Sequence, residues 1–85
     1  MTCFHIITSH PEPLEAYITG VLHRGATRLH GESVYTHDGK TILLTAVSRH
    51  QAVQLRNFIH QEDPDAFLII TTSTEIIGKG FRGVN

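Results

Sequence analysis

The chain has 85 residues, enough for one domain and too short for two separate cores. Seven Lys and Arg residues against eight Asp and Glu residues give a net charge of -1, so the broad positive surface that nucleic-acid binding requires is missing and we expect no nucleic-acid partner. The single cysteine, Cys3, excludes an internal disulfide and a thiolate metal site. No apolar run approaches the roughly 20 residues of a transmembrane helix.

The first quarter of the chain predicts a strand and a helix. Cys3–Thr8 is a short apolar run, which predicts a first strand in a central position. Apolar residues at helical spacing then predict a helix from about Glu12 to His23. Ser9 with Glu12 has the pattern of a capping box, and Gly25 is placed to end the helix in the left-handed conformation.

The next segment predicts a β-hairpin. From Ala26 the pattern approaches alternation, which predicts a second strand that continues to Tyr35, with a bulge or bend at Gly31. Asp38-Gly39 predicts a two-residue type I′ turn, because both residue types tolerate positive φ. Thr41–Val47 is rich in β-branched and aliphatic residues and predicts a central third strand, antiparallel to the second.

A second helix and a last strand follow. Ser48 and Gln51 predict a second capping box, and the helix after it carries an apolar stripe. Asp63-Pro64 ends this helix, since the residue before proline avoids the α conformation. Ala66 to about Thr72 predicts the last long strand. We expect the tail, Glu75–Phe81, to pair at a sheet edge or to pack across a neighbour.

The predicted order is strand, helix, strand, strand, helix, strand, which is the α+β arrangement of the ferredoxin-like fold. It predicts one domain over residues 1–85, with a four-stranded antiparallel sheet and a short C-terminal extension. Right-handed crossovers place both helices on one sheet face. The other face is left for water, a partner or another subunit, so we expect a homo-oligomer.

Five groups of residues, spread over almost the whole chain, resemble the C-terminal cytosolic domain of YitT-type bacterial membrane proteins. They are Arg24-Gly25-Ala26-Thr27 with Gly31, Tyr35-Thr36, Val47-Ser48-Arg49, Asp63-Pro64-Asp65-Ala66-Phe67 and Gly78-Lys79-Gly80-Phe81. The resemblance implies a ferredoxin-like module related in shape to PII signalling proteins, attached to transmembrane helices before Met1 on the cytoplasmic side of the bacterial membrane. It implies no settled biochemical activity. In this family small or glycine residues are more usual where His23 and His37 stand here.

The resemblance and the residue types together suggest an anion site. Arg24 offers a guanidinium group beside the flexible backbone of a glycine. Arg49 offers one at the start of a helix, where free backbone N–H groups are available. A structural explanation is open for each position, because glycine often ends a helix and serine often caps one. The candidate ligand-binding residues are Arg24, Gly25, Thr27, Tyr35, Thr36, Ser48, Arg49, Gly78 and Gly80.

The sequence predicts neither a metal, nor a cofactor, nor catalysis. The seven histidines include no i, i+4 pair with a complementary ligand. Cys3 has no obvious base partner. Small acyl-phosphate hydrolases share this fold but need an arginine in the loop after the first strand, and residues 8–13 contain none.

Three functional hypotheses remain at this point. The first is a non-enzymatic regulatory module that oligomerises through its sheet and senses a small anionic ligand between subunits. The PII resemblance favours three copies, and two copies would also bury an edge strand. The second is a purely structural oligomerisation domain of a membrane protein. The third and weakest is a small acyl-phosphate hydrolase.

Overall fold

A computed structural model describes residues 1–72 of the chain. Its elements are β1 (Thr2–Thr8), α1 (Pro11–Ala16), β2 (Ala26–Glu32), β3 (Gly39–Val47), α2 (Arg49–Glu62) and β4 (Phe67–Thr72). The strands form one sheet in the order β2-β3-β1-β4, and all neighbouring pairs are antiparallel. The ferredoxin-like α+β fold and the central positions of the first and third strands are therefore confirmed. The predicted tail, Glu75–Phe81, lies outside the described residues.

The core lies between one face of the sheet and the helices. Residues directly opposite each other on neighbouring strands point to the same face. On this face Phe4 and Ile6 of β1 are buried beside Leu43 and Val47 of β3. They form a single cluster with the apolar stripes of both helices, which contribute Leu14, Ile18, Leu22, Leu55 and Ile59.

The first helix is confirmed, but both of its ends differ from the prediction. The residue before Pro11 is His10, which makes no side-chain cap, so the predicted Ser9–Glu12 capping box is wrong. The Ser9 hydroxyl accepts a hydrogen bond from the Lys40 ammonium at 2.8 Å instead. The Ser9 hydroxyl therefore bonds to a side chain 31 positions away and does not cap the helix that follows it.

A π-helical turn, Tyr17–Val21, continues α1. The chain leaves this turn through Leu22, whose N–H donates to the Tyr17 carbonyl at 3.0 Å. The left-handed residue after it is His23, with φ 56°, and not Gly25. The prediction that Gly25 ends the helix in the left-handed conformation is therefore wrong by two positions.

The β2–β3 hairpin is confirmed, but its turn is wider than predicted. A six-residue loop, residues 33–38, replaces the two-residue turn at Asp38-Gly39. The Ser33 N–H donates to the Asp38 carbonyl at 2.8 Å, and His37 adopts φ 64°. Tyr35 lies in this loop and is 94% exposed, so the second strand ends before it.

Of the bulge or bend predicted at Gly31, the bulge is wrong, because Gly31 pairs with Lys40 in an unbroken ladder. A Cβ atom at this position would lie 2.8 Å from Cδ1 of Ile42. Glycine therefore leaves room for that isoleucine side chain on the sheet surface.

The second helix begins as predicted. The Ser48 hydroxyl accepts from the Gln51 N–H, and the Gln51 side chain accepts from the Ser48 N–H, which is a complete capping box. At the other end Asp63 terminates α2 and is buried. The Thr8 hydroxyl donates to its carboxylate at 2.5 Å, which ties the end of α2 to the end of β1.

Candidate functional site

Four of the predicted ligand-binding residues lie at one end of the sheet. Arg24 and Gly25 precede β2, and Ser48 and Arg49 stand at the start of α2. We refer to these four residues as the arginine end. The antiparallel pairing brings the start of β2 beside the end of β3, which places the two segments close together.

Gln51 joins the two segments of the arginine end. Its side-chain oxygen accepts from Arg24 Nε at 2.9 Å and from the Ser48 N–H at 3.1 Å. Its side-chain nitrogen donates to the Leu22 carbonyl at 3.0 Å. The capping-box pattern predicted the contact with Ser48, whereas the contacts with Leu22 and Arg24 depend on tertiary structure and have no sequence signal.

Arg24 and Arg49 differ in how much of the side chain is available to a ligand. Arg24 is half-buried, and its Nε is held by Gln51. Arg49 is exposed at the first position of a 14-residue helix, where N–H groups without helical partners favour an anion. The carbonyl of Gly25 accepts from the Thr45 hydroxyl at 2.7 Å, which has a structural role.

The remaining predicted site residues lie elsewhere. Thr27 pairs with Leu44 and therefore lies on the sheet face opposite the helices. Tyr35 and Thr36 are in the loop of residues 33–38, at the end of the sheet opposite the arginine end. Gly78 and Gly80 lie outside the described residues. Of the seven predicted residues that the structure describes, four lie together at the arginine end.

The sheet face opposite the helices is apolar and has no covering layer among residues 1–72; we call it the open face. One row crosses all four strands and consists of Leu29, Ile42, Ile7 and Phe67. The neighbouring row consists of Thr27, Leu44, His5 and Ile69. Leu29 is 47% exposed and Phe67 is 61% exposed, both on edge strands. Such a contiguous apolar surface is characteristic of a contact site.

At the end of the sheet opposite the arginine end, two cavities adjoin and share Ile7 and Lys40; we call them together the lysine cleft. The polar cavity has a volume of about 140 Å³ and is lined by Ile7, Thr8, Ser9, His10, Lys40, Asp63 and Asp65. The apolar cavity has a volume of about 340 Å³ and is lined by Ile7, Glu32, Ser33, Lys40, Ile42 and Phe67. The lysine cleft has no signal in the sequence, because its residues come from distant parts of the chain that only the strand register and the loops bring together.

A groove between α1 and the edge strand β2 holds an ion pair. Arg28 donates through Nε and Nη2 to the two carboxylate oxygens of Glu15, at 2.6 and 2.7 Å. The hydrogen bond and the charge of Glu15, helped by Glu12, raise the pKa of the exposed Arg28 guanidinium above its usual value. This pair connects α1 to β2 across the surface, where such pairs contribute little to stability.

The part of the chain that the structure describes contains no group of three metal-ligating side chains. Within residues 1–72 no helix combines the length and the hydropathy that are needed to cross a bilayer. His5 on β1 and His30 on β2 lie on strands that β3 separates.

Residues 24–78 match the family described as "Uncharacterized protein conserved in bacteria (DUF2179)". The chain is 31% identical over 77 residues to an uncharacterized protein in the cccA 5′ region of Bacillus sp. (strain PS3), covering 91% of this chain and 51% of that protein. It is 29% identical over 77 residues to UPF0750 membrane protein YvjA of Bacillus subtilis (strain 168), covering 91% of this chain and 27% of YvjA. It is 26% identical over 73 residues to YitT of the same organism, covering 86% of this chain and 26% of YitT. The chain spans about a quarter to a half of the length of these relatives.

A solved structure supports the same fold. The crystal structure of a DUF2179 protein from Eubacterium ventriosum superposes with a TM-score of 0.64 at 22% identity. The superposition covers 84% of this chain and 99% of that chain. Because the family match covers more than half of the sequence, the chain belongs to the DUF2179 family, and it resembles YitT and other UPF0750 membrane proteins, as its motifs predicted.

Proposed function

We propose that this domain is a non-enzymatic regulatory module at the cytoplasmic face of a membrane protein, and that copies of it associate through the open face. The observation that carries the proposal is the apolar row that crosses all four strands on the side without helices. The similarity to UPF0750 membrane proteins supports attachment to a transmembrane portion.

The size of the open face predicts weak association of the isolated domain. Four strands spaced about 4.8 Å apart, with about six residues each at roughly 3.3 Å per residue, cover about 400 Å² in projection. Stable interfaces bury about 800 Å² of accessible surface on each partner. Attachment to a shared membrane portion would raise the effective concentration of neighbouring domains and strengthen the contact.

Sedimentation of the isolated domain over a wide concentration range tests the proposal. We expect reversible association of the wild type, and loss of association in Leu29→Glu, because a charge that is buried in an apolar contact without a partner is costly. Val53→Glu is the matched control, since Val53 on α2 is also 47% exposed but lies on the helical side. A wild type that stays monomeric at millimolar concentration, or equal association of the two variants, would refute association through this face.

A second proposal concerns ligand sensing at the arginine end. The exposed guanidinium of Arg49 and the start of α2 support a small anion there, whereas Arg24 is held in place by Gln51. Calorimetry with nucleotides and other small anions should show binding that weakens about tenfold in Arg49→Ala, the loss of one charge-assisted contact. Absence of binding by the folded domain would leave the purely structural oligomerisation domain as the better explanation.

The acyl-phosphate hydrolase hypothesis makes a separate prediction. The loop between β1 and α1 contains no arginine, and the ammonium group of Lys40 donates a hydrogen bond to the Ser9 hydroxyl of this loop. We therefore expect no turnover of acyl phosphates by the purified domain above the rate of a heat-unfolded sample. Saturable turnover would contradict the non-enzymatic proposal without affecting the association measurement.

A further inference from the structure

We propose that the lysine cleft binds a free α-amino acid with a branched aliphatic or aromatic side chain. The inference goes beyond the proposed function, because it assigns a second ligand site at the end of the sheet opposite Arg49. It follows from three properties of the cleft, which are the signs of its charges, its volume and its apolar extension.

The first property is that charges of both signs line the polar cavity without forming an ion pair among residues 1–72. Lys40 Nζ contacts the Ser9 hydroxyl, and no carboxylate oxygen of residues 1–72 lies within 4.0 Å of it. Asp65 is exposed and makes no ion pair with any described residue. The buried carboxylate of Asp63 accepts from Thr8. A simple anion would meet two carboxylates, and a simple cation would meet the ammonium group.

A zwitterion matches this arrangement. Its carboxylate would bind to the Lys40 ammonium and the Ser9 hydroxyl, and its ammonium group would bind to the Asp65 carboxylate. The polar cavity of about 140 Å³ equals the volume of four to five water molecules at about 30 Å³ each. This volume accommodates an α-carbon with its two charged groups and leaves no room for a larger polar head such as a nucleotide.

The apolar cavity determines which amino acids fit. It adjoins the polar cavity at Ile7 and Lys40 and is bordered by Ile42 and the largely exposed Phe67. Its volume of about 340 Å³ exceeds that of any single side chain, and the two cavities together reach the lower part of the range typical of ligand sites. A branched or aromatic side chain would cover Phe67, whereas glycine and alanine would leave it in water.

Titration calorimetry of the folded domain with L-leucine and L-phenylalanine tests the inference. We expect micromolar to millimolar affinity for at least one of them, and at least tenfold weaker binding of glycine. Isocaproate, which lacks the amino group, and isoamylamine, which lacks the carboxylate, should each bind at least tenfold more weakly than leucine. Equal binding of either analogue, or no binding of any amino acid to the wild type, would overturn the inference.

Variants locate the site. Lys40→Met, Asp65→Asn and Phe67→Ala should each weaken binding at least tenfold, while Arg56→Met and Glu62→Gln, exposed charges on α2, should leave it unchanged. Circular dichroism confirms that each variant is folded. Binding that survives both Lys40→Met and Asp65→Asn would overturn the assignment. Phe67 belongs both to the apolar cavity and to the apolar row of the open face, so Phe67→Ala alters both surfaces. Sedimentation of Lys40→Met and Asp65→Asn, which leave the apolar row intact, therefore distinguishes a failure of amino-acid binding from a failure of association through the open face.

Discussion

At the scale of single residues, the backbone is most constrained at two histidines. His23 and His37 have φ of 56° and 64°, a region in which a side chain costs roughly 1–2 kcal/mol relative to the right-handed conformation. Glycine adopts this region without that cost. The expectation, drawn from the resemblance, that small or glycine residues are more usual at both positions therefore has a physical basis in the backbone.

We expect His23→Gly to stabilise the domain by about 0.5–1 kcal/mol. The free energy gained when the side chain no longer strains the left-handed backbone exceeds the free-energy cost of the more flexible unfolded chain. His23 is exposed and its side chain makes no hydrogen bond with a described residue, so little else changes. Urea unfolding at low protein concentration measures the effect. His60→Gly, the same replacement inside α2, should destabilise by about 0.3–0.5 kcal/mol, the difference between the helix propensities of histidine and glycine. A destabilised His23→Gly would contradict this account of the turn.

At the scale of elements, one side chain connects the end of the first helical segment to the start of the second. Gln51 closes the capping box of α2 and also bonds to Leu22 and Arg24. The helices meet directly through the stacked rings of Tyr17 and Phe58, whose centroids are 4.0 Å apart. The arginine end therefore has a structural role whether or not Arg49 binds a ligand.

Replacement of Gln51 by alanine should cost about 2–3 kcal/mol of folding stability, because three hydrogen bonds of about 1 kcal/mol each are lost together. Urea unfolding measures this cost as a lower midpoint concentration at an unchanged m-value. Gln54→Ala is the control, since Gln54 is an exposed residue of the same helix and should change stability by less than about 0.5 kcal/mol. Equal effects of the two replacements would show that none of the three hydrogen bonds of Gln51 makes a net contribution to stability, and a cost of about 1 kcal/mol would show that Gln51 acts only as a local cap.

The same elements show what sequence reasoning can predict. Periodicity predicted every strand and helix in order, because the core face of each element must carry apolar residues at a fixed spacing. The ends were less predictable where distant groups compete with local patterns. Ser9 bonds to Lys40 and not to its own helix, and the hairpin closes through Ser33 and Asp38 and not at Asp38-Gly39.

At the scale of the whole molecule, the predicted and observed sites separate along the sheet. The order of strands placed the starts of β2 and α2 together, so the arginine end was predictable from topology. The lysine cleft could not be predicted from the topology. Asp65 and Lys40 line the same cavity only because of the register of β3 with β1 and the path of the chain after α2. The open face followed from the right-handed crossovers alone, which place both helices on one side.

Association through the open face should also make the thermal stability depend on concentration. When folded copies associate and unfolded chains do not, mass action stabilises the folded state as the protein concentration rises. At concentrations where the folded copies are mainly dimeric, a tenfold increase contributes about 0.7 kcal/mol per copy, which for a domain of this size raises Tm by roughly 3–5 °C. Scanning calorimetry over two decades of concentration should show this rise in the wild type and in Val53→Glu, and a constant Tm in Leu29→Glu. A Tm independent of concentration in all three proteins would mean that the apolar row of Leu29, Ile42, Ile7 and Phe67 meets something other than a second copy of this chain.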